Sequence, residues 1–277
     1  MSRAETYVLG APDPEMTRIE EILTDQSLPF LHATQTNGER ADCRSAYTAD
    51  AERTLTLPTQ ELVLVEAGFA NSERTDVIDH HNPGDFGYDA LPEDSWRASS
   101  LGQLMLRLNL EPTRDDMVLG ATDHNFAAAV GGIVPEVDPE EALLHKIEGI
   151  VMTHGGTVRE VRNQVARCEA LIGAGSSVEL IAGEPVIDLR KENIGIGVTT
   201  EYLAMQTAAA KVGVPVVVRS SNHLGDHEKI ILTGNVSKNT VEAFMDHWGP
   251  ENGLADIYGV PSRGYAGGYI IDHRDSV

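Results

Sequence analysis

With 277 residues, 41% of them hydrophobic and 5% aromatic, the chain can bury one large core or two modest ones, and two domains are expected. Its 43 acidic residues against 21 basic ones, five of them lysines, give a formal net charge of -22. This disfavours long nucleic acid as a partner, since duplex binding draws on a basic patch, and it suits a halophilic, high-salt cytoplasm as well as an ordinary acidic cytosolic protein. With no run of about 18 apolar residues and no basic-then-apolar leader, a soluble cytoplasmic chain with no membrane partner is expected.

Tyr7-Val8-Leu9 reads as a strand stopped by Gly10, and Met16, Ile19, Ile22 and Leu23 keep helical spacing behind it. Cys43, like the distant Cys168, lies outside any CxxC spacing, so neither a disulfide framework nor a zinc-thiolate site is indicated and both are expected as thiols. Leu62-Val63-Leu64-Val65 is a continuous apolar run, as in a parallel strand covered on both faces, and Val77-Ile78 is a shorter one. Leu101, Leu104, Met105 and Leu108 predict a helix behind Ser99-Ser100, and Met117-Val118-Leu119 reads as a further strand. Strand and helix in alternation imply an α/β domain with a parallel sheet.

From Pro139 to about Gly175 the pattern is wholly helical, with stripes over Leu143–Val151 and Val158–Ile172 broken at Gly155-Gly156. Past it, Val178–Ala182, Val186–Leu189 and Ile194–Val198 predict a meander, followed by a helix around Glu201–Lys211. Val214–Arg219, Ile230–Leu232, a helix over Asn239–Trp248 and the glycine-rich Gly264–Tyr269 complete a second α/β unit. The expected division is residues 1-138 as an α/β domain, 139-176 as a helical connection and 177-277 as a smaller second α/β domain.

Open parallel sheets bind ligands beyond the carboxyl ends of their strands. Asp13 and Glu15 follow the first predicted strand, Glu66 the second, Asp79-His80-His81 the third, and Asp123 with His124 the fourth. Asp13 also suits a helix N-cap and His124 a helix start. Glu66 closes a strongly apolar run, where a charge is poorly solvated. Clustered carboxylates with one or two imidazoles suit Mn²⁺, Mg²⁺ or Fe²⁺ better than structural zinc, and one or two divalent ions would neutralise them.

These residues resemble the motifs of the DHH phosphoesterase superfamily. Pro12-Asp13-Pro14-Glu15 is similar to its motif I, Glu66 stands at motif II, Asp79-His80-His81 is motif III, and Gly120-Ala121-Thr122-Asp123 resembles motif IV. The chain departs from the pattern at Leu9, where motif I has a histidine, and at Glu15 and Glu66, where aspartates are usual. The resemblance implies Asp13, Glu15, Glu66, His80 and Asp123 as ligands to one or two Mn²⁺ (or Mg²⁺) ions. It makes His81 a substrate-side catalytic group and Asp79 the partner that fixes an imidazole. The resemblance also implies that residues 1-138 bind the metal and that the smaller 177-277 domain caps the active-site cleft between the two and grips substrate, and the implied reaction is hydrolysis of a phosphoester or phosphoanhydride by metal-hydroxide attack.

In the second domain Arg263, Gly264, Gly267 and Gly268 are similar to the family's glycine-rich substrate loop without its terminal GGH, and also fit a tight turn. Arg219, at a strand end, is either a second phosphate clamp or a solvated arginine. The expected substrate is a small phosphorylated molecule: pyrophosphate, a nucleotide or a short oligonucleotide. A homodimer is compatible with the sequence. The departures from motifs I and II support an alternative, a catalytically impaired relative that binds or senses a nucleotide or phosphorylated metabolite. A dinucleotide-dependent dehydrogenase is disfavoured, because no GxGxxG follows the first strand.

Overall fold

The computed structural model describes residues 5–42, 45–55, 61–70, 76–175, 177–192, 199–221 and 228–270. They fall into two units, Met1–His124 and Asn125–Val277. The first contains β1 (Glu5–Leu9), α1 (Pro14–Asp25), β2 (Phe30–His32), α2 (Ala51–Thr54), β3 (Glu61–Val65), β4 (Val77–Ile78), α3 (Ser95–Ala98), α4 (Ser100–Arg107) and α5 (Arg114–His124). Its four strands make one parallel sheet in the order β2-β1-β3-β4.

The register explains why chemistry collects at one edge. Leu9 pairs with Val65 and Val65 with Ile78, so β1, β3 and β4 end level and Gly10, Glu66 and Asp79 leave the sheet side by side. The strands are continuously apolar because both faces are covered. Tyr7, Leu9, Val63 and Val65 form a buried cluster with Met16, Ile19 and Leu23 of α1 and Leu101, Leu104 and Met105 of α4. Val8 and Leu64, alternating with them, pack among Ala33, Ala46, Ala49 and Ala67.

Local signals set the helix starts. The Asp13 side chain accepts from Met16 N at 2.6 Å with Pro14 in the first turn, and the Ser99 hydroxyl accepts from Gly102 N at 3.0 Å. Residues 117–119, read above as a strand, belong instead to α5. The Thr113 hydroxyl accepts from Asp116 N at 3.2 Å while the Asp116 carboxylate accepts from Thr113 N at 2.9 Å, a reciprocal cap that launches a helix through the apolar triplet. Arg18 of α1 donates to Asp116 at 2.7 Å and ties the two helices together. The fourth strand of the sheet is therefore β2, and Asp123 arrives from a helix.

Gly10 shows how closely the strand ends approach. A Cβ there would lie 2.2 Å from the Glu66 carbonyl oxygen. Gly10→Ala is expected to destabilise the first unit by at least the roughly 1–3 kcal/mol typical of overpacking, read as a lowered denaturant midpoint, and to displace Glu66.

The second unit contains α6 (Phe126–Val130), α7 (Pro139–His154), α8 (Val158–Ala174), β5 (Val178–Ile181), β6 (Glu184–Asp188), α9 (Thr199–Val212), β7 (Val216–Ser221), β8 (Glu228–Thr233), α10 (Lys238–Ala243), α11 (Gly249–Glu251), β9 (Leu254–Val260) and β10 (Tyr265–Ile270). Thr157 and Glu160 cap α8 reciprocally just past Gly155-Gly156, and Cys168 is buried on that helix. With α7 and α8 inside it, this unit is the longer of the two. Its mixed sheet runs β5-β6-β7-β8-β10-β9. One face packs Val217, Ile230, Leu232 and Ala266 against Val241, Phe244 and Trp248. The predicted strand over residues 194–198 and Cys43 lie outside the described residues. Among the described residues no helix is long and apolar enough to cross a membrane.

Candidate metal centre

The level strand ends and the two helices that abut them bring four candidate ligands together. One ligand atom each from Glu15, Glu66, His80 and Asp123 lies within 4.8 Å of all the others. His80 Nε2 is 3.3 Å from Asp123 Oδ2 and 3.7 Å from Glu66 Oε1. His80 is fully buried, Glu15 and Glu66 nearly so, and the Asp123 side chain is partly exposed. Glu66 adopts φ of 47°, a left-handed conformation sparsely populated by residues other than glycine, at the point where β3 must hand its carboxylate to this cluster.

Glu15 is the most telling member. Its Oε1 accepts from Leu101 N at 3.0 Å, at the amino end of α4, where the amide and the helix dipole both favour an anion. Its Oε2 is buried and has no hydrogen-bond partner among the described residues. Burial, reinforced by the charges of Asp123, Glu66 and Asp13, drives its pKa well above the usual carboxylate range. Asp13 is raised for the same reasons: burial first, then Asp123 and Glu66. A buried carboxylate oxygen facing other carboxylates is costly unless a proton or a cation sits among them. Three oxygen donors and one imidazole nitrogen suit a hard divalent ion, so the residues present fit Mn²⁺ or Mg²⁺.

Asp79 holds the arrangement rather than joining the four. It is fully buried, and its Oδ1 accepts from His80 N at 2.6 Å, His81 N at 2.9 Å and the Tyr47 hydroxyl at 3.3 Å. His81 Nδ1 lies 3.2 Å from the same oxygen, and since a carboxylate only accepts, Nδ1 carries the hydrogen. Burial pulls the His81 pKa down, but Glu66, the Asp79 hydrogen bond and Asp123 outweigh it and raise the imidazole to about 9. Gln103 of α4 donates to the Asp79 carbonyl at 2.8 Å and locks the turn. Asp79→Asn is expected to lower Mn²⁺ affinity by about 10–100-fold, as loss of the hydrogen-bond partner beside a metal ligand typically does, and to move the His81 ionisation downward; calorimetric titration with MnCl2 and NMR titration of His81 check both.

His124 is the last residue of α5, not a helix start. Its Nε2 donates to the Gly87 carbonyl at 2.7 Å, and its ring lies edge-on to His80 at 5.2 Å. Asp13 serves α1 as its N-cap and feels the charges of Asp123 and Glu66, and it falls outside the compact four-residue group. A Glu66, His80 and His81 grouping of similar compactness shares two of its members with the first. Tyr47 and Gln103 escaped the sequence reading because each acts from a segment with no motif. For the Leu101 amide the signal was present: a Ser99 cap predicts bare N–H groups behind it.

The substrate residues predicted in the second unit are placed as follows. Arg219 is exposed on β7 and pairs with Glu228 of β8. Arg263 is buried in a 3-10 turn over Pro261–Arg263, closed by Gly264 at φ of 69°. Gly267 and Gly268 lie in strand β10, paired with both β8 and β9, rather than in a loop. Their missing side chains make room for neighbours: a Cβ on Gly267 would sit 2.7 Å from the Tyr258 hydroxyl, and one on Gly268 3.0 Å from Ile257 and Leu254.

The first unit thus presents a candidate hard-cation centre at the carboxyl edge of a parallel sheet. No protein-family model matches the chain, and no curated protein does. Among solved structures, the chain is similar to a pGpG-specific phosphodiesterase, PggH, from Vibrio cholerae, at 10% identity over 99% of this chain and 95% of that one, with a TM-score of 0.46. It is also similar to a protein of Methanococcus jannaschii described as a candidate family II inorganic pyrophosphatase, at 13% identity over 83% of this chain and 78% of that one, with a TM-score of 0.21.

Proposed function

We propose that the chain is a metal-dependent hydrolase of phosphoester or phosphoanhydride bonds in a small phosphorylated molecule. The observation that carries this reading is the buried Glu15, Glu66, His80 and Asp123 cluster, whose Glu15 Oε2 no described protein group satisfies. These four residues would hold Mn²⁺ or Mg²⁺. Such an ion, when bound, polarises a phosphoryl oxygen and makes water acidic enough to attack phosphorus near neutral pH.

The chain's own groups supply the rest. The half-exposed His81 ring, anchored through Nδ1 by Asp79, presents Nε2 as the atom that can hydrogen-bond a phosphoryl oxygen or pass a proton to the departing one. Asp13 aims Glu15 by capping α1. The net charge of -22 favours a compact phosphorylated substrate over a long polyanion.

A binding or sensing role is the second reading, favoured by Leu9, which is fully buried in the apolar cluster where the resembled motif has an imidazole. Purified protein assayed with Mn²⁺ against pyrophosphate, bis(p-nitrophenyl) phosphate and linear dinucleotides separates the two. Chelator-sensitive hydrolysis of at least one is expected. Nucleotide binding without turnover on every substrate would replace the hydrolase with the sensor.

A further inference from the structure

We infer that Phe86 is the surface on which the base of a nucleotide substrate stacks, so that the small phosphorylated molecule is a nucleotide or short oligonucleotide. The inference rests on the hydrolase reading of the metal centre and adds a substrate class to it. Phe86 is 77% exposed, the most exposed large apolar side chain among the described residues. A single exposed apolar side chain is ordinary on a protein surface. This one is set apart by where its loop is fastened.

At one end Asn82 directly follows His81. Its backbone N–H and side-chain amide donate to Asp85 Oδ2 at 2.8 and 3.1 Å, and Asp85 N donates back to the Asn82 carbonyl at 3.0 Å, closing the turn. At the other end Gly87, next to Phe86, is wedged so closely that a Cβ on it would lie 2.7 Å from His80 Cβ and 2.1 Å from the Ala98 carbonyl oxygen. The Gly87 carbonyl accepts from His124, the residue after Asp123. Of the candidate ligands, His81 and Asp123 are the two that reach solvent, with 42% and 28% of their side chains exposed, while Glu15, Glu66 and His80 are buried. Phe86 is therefore presented by a short closed loop tied to both groups through which the centre meets solvent. Residues 82–96 include no lysine, arginine or histidine but carry Asp85, Asp89, Glu93 and Asp94. A loop of that charge repels phosphate, and what it offers a ligand is an aromatic face. The part of a phosphorylated molecule that suits such a face is flat and uncharged, as every nucleobase is; pyrophosphate has no such part.

Calorimetric titration of the Mn²⁺-loaded full chain with adenosine 5′-monophosphate and, separately, with inorganic phosphate reads the contribution of the base without reference to turnover. The nucleotide is expected to bind more tightly than phosphate. Phe86→Ala should weaken the nucleotide about 5- to 100-fold, the range for loss of one base–aromatic stack. It should leave the affinities for inorganic phosphate and Mn²⁺ unchanged, and the melting temperature too, because so exposed a ring adds little to the packing of the fold. Phe86→Trp should retain nucleotide affinity, whereas Phe86→Leu, apolar but without a π-face, should lose most of what Phe86→Ala loses. A nucleotide bound no more tightly than phosphate, unchanged nucleotide affinity in Phe86→Ala, or an equal loss for both ligands would overturn the stacking inference and leave the metal centre standing. No Mn²⁺ binding at millimolar concentration would overturn both.

Discussion

His80→Ala is expected to abolish Mn²⁺ binding and hydrolysis together, each falling by more than about 100-fold and so further than with Asp79→Asn. His80 provides the one imidazole nitrogen among the four ligands and lies fully buried within reach of both Glu66 and Asp123. Its removal leaves three carboxylates around a hole, a set that repels itself and binds any cation more loosely. Because the ring also packs against His81 at 4.2 Å and His124 at 5.2 Å, the truncation opens a cavity. His80→Asn, closer in volume, separates the two effects: it should recover much of the lost thermal stability and little of the metal affinity. Calorimetry, thermal melts and rates measured on the same preparations check this. Retained Mn²⁺ affinity in either folded variant would contradict the ligand assignment.

Stripping the metal is expected to give a protein whose stability falls as pH rises from about 4 toward neutrality, and adding Mn²⁺ should reverse that slope. The sign follows from Asp13 and Glu15, whose folded-state pKa values are raised, first by burial and then by Asp123 and Glu66. Below their ordinary values of about 3.9 and 4.3 both states are protonated and nothing is lost. Above them the unfolded chain ionises while the folded one still holds its protons, so each such group costs about 1.4 kcal/mol per pH unit until its folded pKa is passed. His81, raised to about 9, acts in the same direction later: its contribution is complete below about 6.5 and is lost as pH climbs through 9. A bound cation takes the place of the carboxyl protons and stabilises by mass action. Urea midpoints of chelated protein between pH 5 and 8, with and without Mn²⁺, measure both slopes. A chelated protein most stable at pH 8 would contradict the electrostatic account.

Much of the first unit was legible because its strands are short, apolar and parallel. Leu62–Val65 and Val77-Ile78 announce themselves by composition, and the residue after each is necessarily delivered to one edge once the strands end level. The Asp13 cap and the Ser99 start are equally local, since one side chain and one nearby N–H suffice. The failure at 117–119 has the opposite cause. Three apolar residues carry no period of their own, and the deciding signal was the Thr113 and Asp116 cap lying upstream. β2 was missed because Phe30-Leu31-His32 is too short to show a pattern and exists by pairing with β1. The glycines at 267 and 268 read as a loop because glycine frees the backbone, whereas here they are small to admit Tyr258, Ile257 and Leu254. Sequence spacing places a residue at an edge but does not say which carboxylate oxygen is left buried without a hydrogen-bond partner among the described residues, as Glu15 Oε2 is.

The most direct test is anomalous diffraction at the manganese absorption edge from crystals grown with Mn²⁺. The account predicts a peak within coordinating distance of Glu15, Glu66, His80 and Asp123; peaks only elsewhere, or none, would contradict it.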